Sequence, residues 1–223
     1  MQRIIVITGT DTGVGKTVLT VLLACHLRAS AVSVAALKPI CSGGRDDARV
    51  LHRALHGVLK LDEINPWHFR APLAPMLAAR NENRRVELRD VVAHVHAMSR
   101  RFQIVLVEGA GGLLSPLGEH FSTRKLIGAL GAETFIVAKN QLGAVNHVRL
   151  TLEALPPLVA ARARIVLMSA RRKDDAARQN PELLAEFIED THVSVLPWFR
   201  PSSDCMRVAA RPQMRRALNA LLH

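Results

Sequence analysis

The sequence contains no tyrosine, and aromatic residues make up only 4% of its 223 residues. Proteins that bind single-stranded nucleic acid commonly stack its bases on aromatic side chains, so this scarcity disfavours such a role. Its three cysteines, Cys25, Cys41 and Cys205, lie far apart and form no CxxC pair. That spacing fits neither a disulfide framework nor a zinc site, and it favours a reducing compartment.

Long apolar runs are also missing, since none reaches the roughly 18 to 20 residues needed to cross a bilayer. We therefore expect a cytoplasmic protein with no leader and no membrane partner, folded as a single domain over residues 1–223. Acidic residues are few, 19 against 30 Lys and Arg, which gives a net charge of +11. Because the arginines are spread along the whole chain, we interpret the excess as a solvated basic surface and do not expect a nucleic-acid partner.

Apolar runs bounded by turn residues alternate with longer segments of helical period. This alternation predicts an α/β fold of three layers, with a mostly parallel sheet flanked by helices. Strands are predicted at 3–8, 32–37, 103–107, 134–138, 165–168 and 193–196, and helices at 16–28, 47–56, 87–101, 146–155, 181–190 and from 212 onward. Asn180 and Pro181 are typical of a helix cap and a first helical residue. Residues 65–85 are expected to form an excursion near the site.

A glycine-rich turn, ITGTDTGVGKT at 7–17, follows the first predicted strand and opens the first helix. Strand, loop and helix in this order are the context of a phosphate-binding loop. Gly13 and Gly15 would let the backbone close around phosphate oxygens, while Lys16 would reach the outer phosphates and Thr17 would coordinate Mg²⁺. The first glycine, Gly9, stands one residue earlier than in the common form of this loop.

Charged residues follow two further strands, at the sheet edge where ligands of such folds gather. Lys38 ends the second strand and is either a site residue or a surface lysine. Asp46 and Asp47 begin a helix, where carboxylates also serve as caps. Glu108 ends a buried apolar strand and is the strongest candidate for a carboxylate that binds a phosphate-bridging metal.

Four stretches together resemble the ATP-dependent dethiobiotin synthetases: GTDTGVGKT (9–17), KPICSG (38–43), VEGAGGLLSPL (107–117) and LGAVNHVRLTLEAL (142–155). They occur in the family's order over roughly two thirds of the chain, and the family's phosphate loop carries the same extra residue. The resemblance implies a P-loop NTPase-like fold and a biotin-synthesis ligase. Such an enzyme converts 7,8-diaminopelargonic acid, CO₂ and ATP, with Mg²⁺ as cofactor, into dethiobiotin, ADP and phosphate.

The resemblance also implies a role for each matching residue. Lys38, Lys16 and Thr12 would stabilise the carbamate and the transferring phosphoryl group, and Thr17, Asp47 and Glu108 would hold Mg²⁺. Ser42 would contact the diamine, and the turn Gly143, Ala144, Val145 and Asn146 would bind the substrate carboxylate of the other subunit of a homodimer. Nucleotide contacts would come from Gly13, Val14, Gly15, Lys16, Thr17, Val18, Asp47, Glu108, Gly109, Ala110, Gly111, Ser169, Pro197, Trp198 and Phe199.

Three positions depart from the family pattern: Gly13 replaces a common Glu, Ala74 a common Ser, and Ser169 the Asn that reads adenine. A serine has no amide with which to pair with a base. Two other functions therefore stay open at this point. One is a nucleotide-switched ATPase of the partitioning type, against which Thr10 counts because that class carries an early lysine in the loop. The other is a relic that binds nucleotide without catalysis.

Overall fold

The computed structural model describes residues 2–172, 174–188, 193–200 and 204–223. Within these residues the central sheet has six strands, all parallel to their neighbours. In order across the sheet they are β10 (Val193–Leu196), β9 (Arg164–Met168), β8 (Glu133–Lys139), β1 (Arg3–Gly9), β5 (Ile104–Glu108) and β2 (Val34–Leu37). The predicted α/β fold and each of its six strands are confirmed.

The middle strands are buried on both faces, which explains why they read as almost continuous apolar runs. Ile5, Val6 and Ile7 of β1 and Val105 and Leu106 of β5 have no exposed surface. Strands of this kind cannot face water on either side, so helices must cover both faces.

Eleven helices connect or follow the strands in the described residues: α1 (Lys16–Ala29), α2 (Asp46–Ala54), α3 (Leu61–Ile64), α4 (Pro75–Asn81), α5 (Leu88–Ser99), α6 (Thr123–Leu130), α7 (Ala144–Glu153), α8 (Pro157–Ala160), α9 (Asp175–Phe187), α10 (Cys205–Ala210) and α11 (Pro212–Leu222). The chain leaves β1 toward β2 through α1, whereas the later connections run in the opposite direction across the sheet. Right-handed crossovers therefore place α1 on one face and α5, α6, α7 and α9 on the other. The helices α10 and α11 pack against α1.

No helix in the described ranges combines the length and apolar character that a membrane crossing requires.

Two small sheets lie outside the central one. β3 (Ile40–Ser42) pairs in parallel with β4 (Trp67–Phe69), and β6 (Pro116–Gly118) pairs antiparallel with β7 (Phe121–Ser122). β4 and α4 belong to the stretch around 65–85 that the sequence left unassigned. Its residues 72–75 reach the cavity described below, which confirms the predicted excursion near the site.

The prediction that a helix begins at Pro181 is wrong. α9 begins at Asp175, with Asp174 as its cap, and Pro181 lies inside the helix. The predicted end at Asp190 lies outside the described residues. Asn180 is therefore a helical residue, and it is only 5% exposed.

The interior proline is tolerated because another residue replaces its missing donor. A residue at 181 would normally donate its N–H to the carbonyl of Ala177, four residues earlier. Instead the Asn140 side chain, just after β8, donates to Ala177 O at 2.8 Å. Asn180 in turn donates to Asn140 Oδ1 at 2.9 Å and to Gln141 O at 3.0 Å, so the two buried amides link α9 to the end of β8.

We predict that Asn140→Ala lowers the free energy of unfolding by about 1 to 3 kcal/mol, because it leaves the buried carbonyl of Ala177 without a donor. Adding Pro181→Ala restores a helical N–H to that carbonyl, so the double variant should recover part of the loss. Denaturant unfolding of both variants measures this, with the exposed Gln179→Ala as a control that should change little. A double variant that is no more stable than Asn140→Ala would contradict the explanation.

Candidate active site

The register of the sheet brings Lys38 and Glu108 together. Leu37 of β2 pairs with Val107 of β5, so the residues that follow them emerge side by side at the carboxyl edge. Lys38 Nζ lies 2.6 Å from Glu108 Oε1 and 3.1 Å from Asp47 Oδ2, and it donates to Gly109 O at 3.0 Å. All three N–H groups of the ammonium thus have acceptors within the protein.

Burial and charge oppose each other in this cluster. Lys38 is 4% exposed and Glu108 is 1% exposed. Burial alone would lower the pKa of Lys38, but Glu108 and Asp47 outweigh it and raise the pKa above its ordinary value. Burial alone would raise the pKa of Asp47, but Lys38 and the Thr17 hydroxyl hold it below its ordinary value. The cluster therefore contains a charged lysine beside ionised Asp47.

The phosphate loop joins β1 to α1, and two of its positions, 9 and 15, favour glycine. A Cβ at Gly9 would lie 2.7 Å from the Val14 side chain and 3.2 Å from Lys16 Nζ. Gly15 has φ +107°, a backbone conformation that favours glycine, and it is the residue before α1. These constraints explain the glycines at 9 and 15 and place the first N–H groups of α1 beside the loop.

Lys16 curls back over this loop and donates to Asp11 O at 2.8 Å. Burial and the neighbouring charge of Lys38 lower the pKa of Lys16 to about 8. Asp11 contributes its backbone carbonyl to this contact, and the carboxylates of the Lys38 cluster offset the lowering only in part. An anionic ligand in the loop would supply the missing negative charge.

Thr17, Asp47 and Glu108 form a set of oxygen donors suited to Mg²⁺. Thr17 Oγ1 donates to Glu108 Oε1 at 2.7 Å, and the carboxylates of Asp47 and Glu108 both contact Lys38 Nζ. The second carboxylate oxygen of Glu108 is buried and has no hydrogen-bond partner among the described residues. Mg²⁺ is commonly held by one or two carboxylates together with substrate phosphates, so this unused oxygen fits such an ion. Asp46, by contrast, lies at the surface and pairs with Arg49.

These residues surround one cavity of about 850 Å³, which we call the polar cavity. It is lined by Thr12, Gly13, Gly15, Lys16, Thr17, Val18, Lys38, Cys41, Ser42, Asp47, Pro72, Leu73, Ala74, Pro75, Glu108, Ala110, Gly111 and Ser115. Ser42 donates to Leu73 O at 2.6 Å and so ties the end of β3 to the apolar wall at 72–75. The oxygen of Ser42 stays able to accept a hydrogen bond from a ligand.

A second cavity of about 350 Å³, the apolar cavity, shares Thr17 and Val18 with the first. Ser169, Pro197, Trp198 and Phe199 line it, together with Val21, Val50, Met168, Leu196 and Cys205. The hydroxyl of Ser169 is buried and has no partner among the described residues. The lining therefore offers a flat ligand apolar contact but no side-chain amide.

The turn at 143–146 is not part of either cavity. Gly143, Val145 and Asn146 line a separate groove between α7 and α9, while Ala144 is 2% exposed. The sequence-predicted site residues thus fall into three places. Two predicted nucleotide contacts, Val14 and Gly109, do not line the polar cavity, because Val14 packs into the core and Gly109 accepts from Lys38.

Sequence reasoning assigned no role to Ser115 or to Cys41, and in the wall at 72–75 it singled out only Ala74. Ser115 lies within the quoted stretch VEGAGGLLSPL, so its position near Glu108 was a usable signal. Residues 72–75 were expected near the site as part of the 65–85 excursion, but no pattern in the sequence showed that they line the cavity beside the small β3–β4 sheet.

The parallel sheet and the glycine-rich loop that opens α1 define a nucleotide-binding protein of the P-loop NTPase fold. Solved structures support this class: the MinC:MinD cell division protein complex of Aquifex aeolicus has a TM-score of 0.60 at 13% identity, covering 98% of this chain and 93% of the other. The pNOB8 ParA structure bound to nonspecific DNA has a TM-score of 0.61 at 12% identity, covering 100% and 98%. At such low identities these likenesses concern the fold alone.

Sequence comparison is more specific. A family model described as "AAA domain" matches residues 3–204. The ATP-dependent dethiobiotin synthetase BioD of Anaeromyxobacter sp. (strain Fw109-5) is 43% identical, covering 82% of this chain and 85% of the relative. Those of Anaeromyxobacter dehalogenans (strain 2CP-C) and Bacillus licheniformis are 42% and 35% identical, each covering 88% of this chain and 91% and 86% of the relative. The chain belongs to the family of ATP-dependent dethiobiotin synthetases.

Proposed function

We propose that the protein is a dethiobiotin synthetase, an ATP-dependent ligase that closes a cyclic urea on 7,8-diaminopelargonic acid with CO₂. The observation that carries this proposal is the buried lysine Lys38, held between Glu108 and Asp47 at the edge of a cavity that also contains the phosphate loop. The relatives named above favour this ligase over a nucleotide-switched ATPase or a catalytically weakened relic.

The reaction needs fixed positive charge rather than a protein nucleophile. One substrate amine adds to CO₂ and forms a carbamate, and a carbamate oxygen then takes the γ-phosphoryl group of ATP, releasing ADP. The second amine attacks the carbonyl carbon of this mixed anhydride, and phosphate leaves as the ring closes. Both intermediates, the carbamate and the mixed anhydride, carry negative charge on oxygen. Preorganised cations and hydrogen-bond donors stabilise such charge.

Lys38, Lys16 and Thr12 would act on these oxygens. Lys38 has no free N–H in the present arrangement, so a carbamate oxygen would take the place of one of its three acceptors. Lys16 uses one N–H on Asp11 O and keeps two for phosphate oxygens. Thr12 lines the same cavity, and its hydroxyl would donate to the transferring group.

ATP would lie across both cavities. Backbone N–H groups of Gly13, Val14, Gly15 and Lys16 would cradle the phosphates, with Thr17, Val18 and the loop Glu108–Gly111 beside them. The base would enter the apolar cavity between Ser169 and the segment Pro197–Phe199. Thr17 and Val18 line both cavities, which fits a single ligand that spans them.

Thr17, Asp47 and Glu108 would hold Mg²⁺, a role supported by the Glu108 oxygen that has no hydrogen-bond partner within the described ranges. When bound, the ion offsets negative charge on the β- and γ-phosphate oxygens. The carboxylates of Asp47 and Glu108 also accept hydrogen bonds from Lys38. The position of the lysine would therefore depend on the same residues that hold the ion beside the phosphates.

Ser42 and the wall at 72–75 would bind the diamine, with the apolar side chains of Pro72 and Leu73 against its carbon chain. The substrate carboxylate would bind at the start of α7, Gly143–Asn146, of a second subunit. That turn lies outside the polar cavity and carries exposed apolar side chains nearby, Leu142 at 80% and Leu150 at 61%, which suits an interface between two copies.

The first prediction tests the activity itself. Purified protein with Mg²⁺, ATP, bicarbonate and the diamine should release ADP and form the cyclic urea, as measured by mass spectrometry of the product. Omission of the diamine is the control and should suppress both signals. Nucleotide binding without any cyclic urea would favour a relic over the proposed ligase.

Lys38→Ala should lower kcat by about a thousandfold or more while the Kd for nucleotide changes less than about threefold, because its charge matters most as the carbamate is phosphorylated. Steady-state kinetics and nucleotide titration measure the two quantities. Lys139→Ala is a matched control, since this lysine ends β8 and is exposed. Equal losses of turnover and nucleotide affinity would contradict the role.

The apolar cavity predicts weak selection among bases, so kcat/KM values for ATP, CTP and GTP should agree within about tenfold. Ser169→Asn adds an amide and should favour ATP, whereas Ser169→Ala should leave the order unchanged because no described residue bonds to the buried hydroxyl. Strict use of ATP by the unaltered protein would refute this prediction.

A further inference from the structure

Ser115 lies on the loop between β5 and β6, seven residues after Glu108, and its side chain lines the polar cavity. Its oxygen accepts a hydrogen bond from Gly112 N at 2.9 Å, and its own N–H donates to Gly112 O at 3.2 Å. These two bonds close residues 112–115 into a turn. The turn fixes the position of the Ser115 side chain before any ligand is present.

The hydroxyls of Ser115 and Thr12 both lie near Gly111, and both residues line the polar cavity. A Cβ atom at Gly111 would overlap Ser115 Oγ and would lie 3.9 Å from Thr12 Oγ1. Gly111 also has φ +70°, so both its backbone and its surroundings require glycine. The two hydroxyls therefore lie where the phosphate loop meets the loop after β5.

Lys16 keeps two N–H groups for a ligand and the Thr12 hydroxyl also has no acceptor among the described residues, but most other side-chain donors of the polar cavity are already engaged. Lys38 has all three N–H groups engaged, and Thr17 donates to Glu108. Ser115 uses its oxygen as an acceptor, and no group in the described part of the chain accepts its hydroxyl hydrogen. A hydroxyl with one acceptor bond made still has its hydrogen to donate.

We propose that Ser115 is a catalytic residue whose hydroxyl donates a hydrogen bond to an anionic oxygen of the carbamate as it takes the phosphoryl group. The proposal rests on the ligase function above and assigns it one more donor. The oxygen of Ser115 stays bonded to Gly112, so the donor is fixed in place and needs no rearrangement during the reaction. A donor of this kind affects kcat more than the KM for ATP.

The test compares Ser115→Ala and Ser115→Cys with the unaltered protein at saturating ATP, bicarbonate and diamine. The alanine variant lacks the donor, and the cysteine variant nearly keeps the side-chain volume but donates weakly. We expect both to lower kcat by about 10- to 100-fold, with the KM for ATP changed less than about threefold. Ser122→Ala is the control, since Ser122 pairs with Pro116 on the adjacent strand and does not line the cavity.

A kcat within about twofold of the unaltered protein in either folded Ser115 variant would overturn the proposal, as would a loss that appears only in the KM for ATP. If alanine prevents folding, seen as a lost thermal transition, the cysteine variant decides alone. An unaltered protein that forms no cyclic urea would overturn the ligase function and this inference with it, whereas active protein with active Ser115 variants would overturn the inference alone.

Discussion

The buried ion cluster of Lys38, Glu108 and Asp47 is the constraint on which the rest of the site depends. A buried lysine is costly to desolvate, and attraction to well-placed carboxylates offsets that cost only with good geometry and further hydrogen bonds. Here the geometry comes from the parallel register of β2 and β5, and the further hydrogen bond comes from Gly109 O. The cluster therefore needs the sheet to be in register, and any slip of β2 would leave two buried charges unpaired.

The same cluster connects the parts of the proposed site. Glu108 also accepts from Thr17, the second residue of α1, so the phosphate loop and the Lys38 strand share one carboxylate. Because Thr17 and Val18 also border the apolar cavity, a nucleotide held by its base would place its phosphates beside these charges. The division is physical: polar groups lie where charge changes during the proposed reaction, and apolar side chains lie where a flat base would bind.

Some parts of the structure could be predicted directly from the sequence, and others could not. The apolar central strands fit a sheet that helices cover on both faces, and Glu108 was recognisable because a charge at the end of such a strand needs a partner. The strand pattern alone left Lys38 open between a site residue and a surface lysine. The start of α9 was misjudged because Asn180 and Pro181 match a helix cap locally, while the donor that compensates the proline comes from Asn140, about forty residues earlier. The wall at 72–75 was placed only as an excursion, since its contact with Ser42 depends on a three-residue parallel pairing that has no distinct pattern in sequence.

The sequence by itself determined the fold class, the phosphate loop and the carboxylate Glu108 at the end of β5, because these depend on local geometry and on the alternation of buried strands with helices. The resemblance already favoured Asp47 over Asp46, and the tertiary structure placed Asp47 beside Lys38 and Asp46 beside Arg49. The tertiary structure alone decided that Ser115 and Thr12 both lie near Gly111 and that the 143–146 turn lies outside the polar cavity. Those outcomes depend on distances between residues that are far apart in the chain. The register of the strands sets these distances, and no local sequence pattern encodes that register.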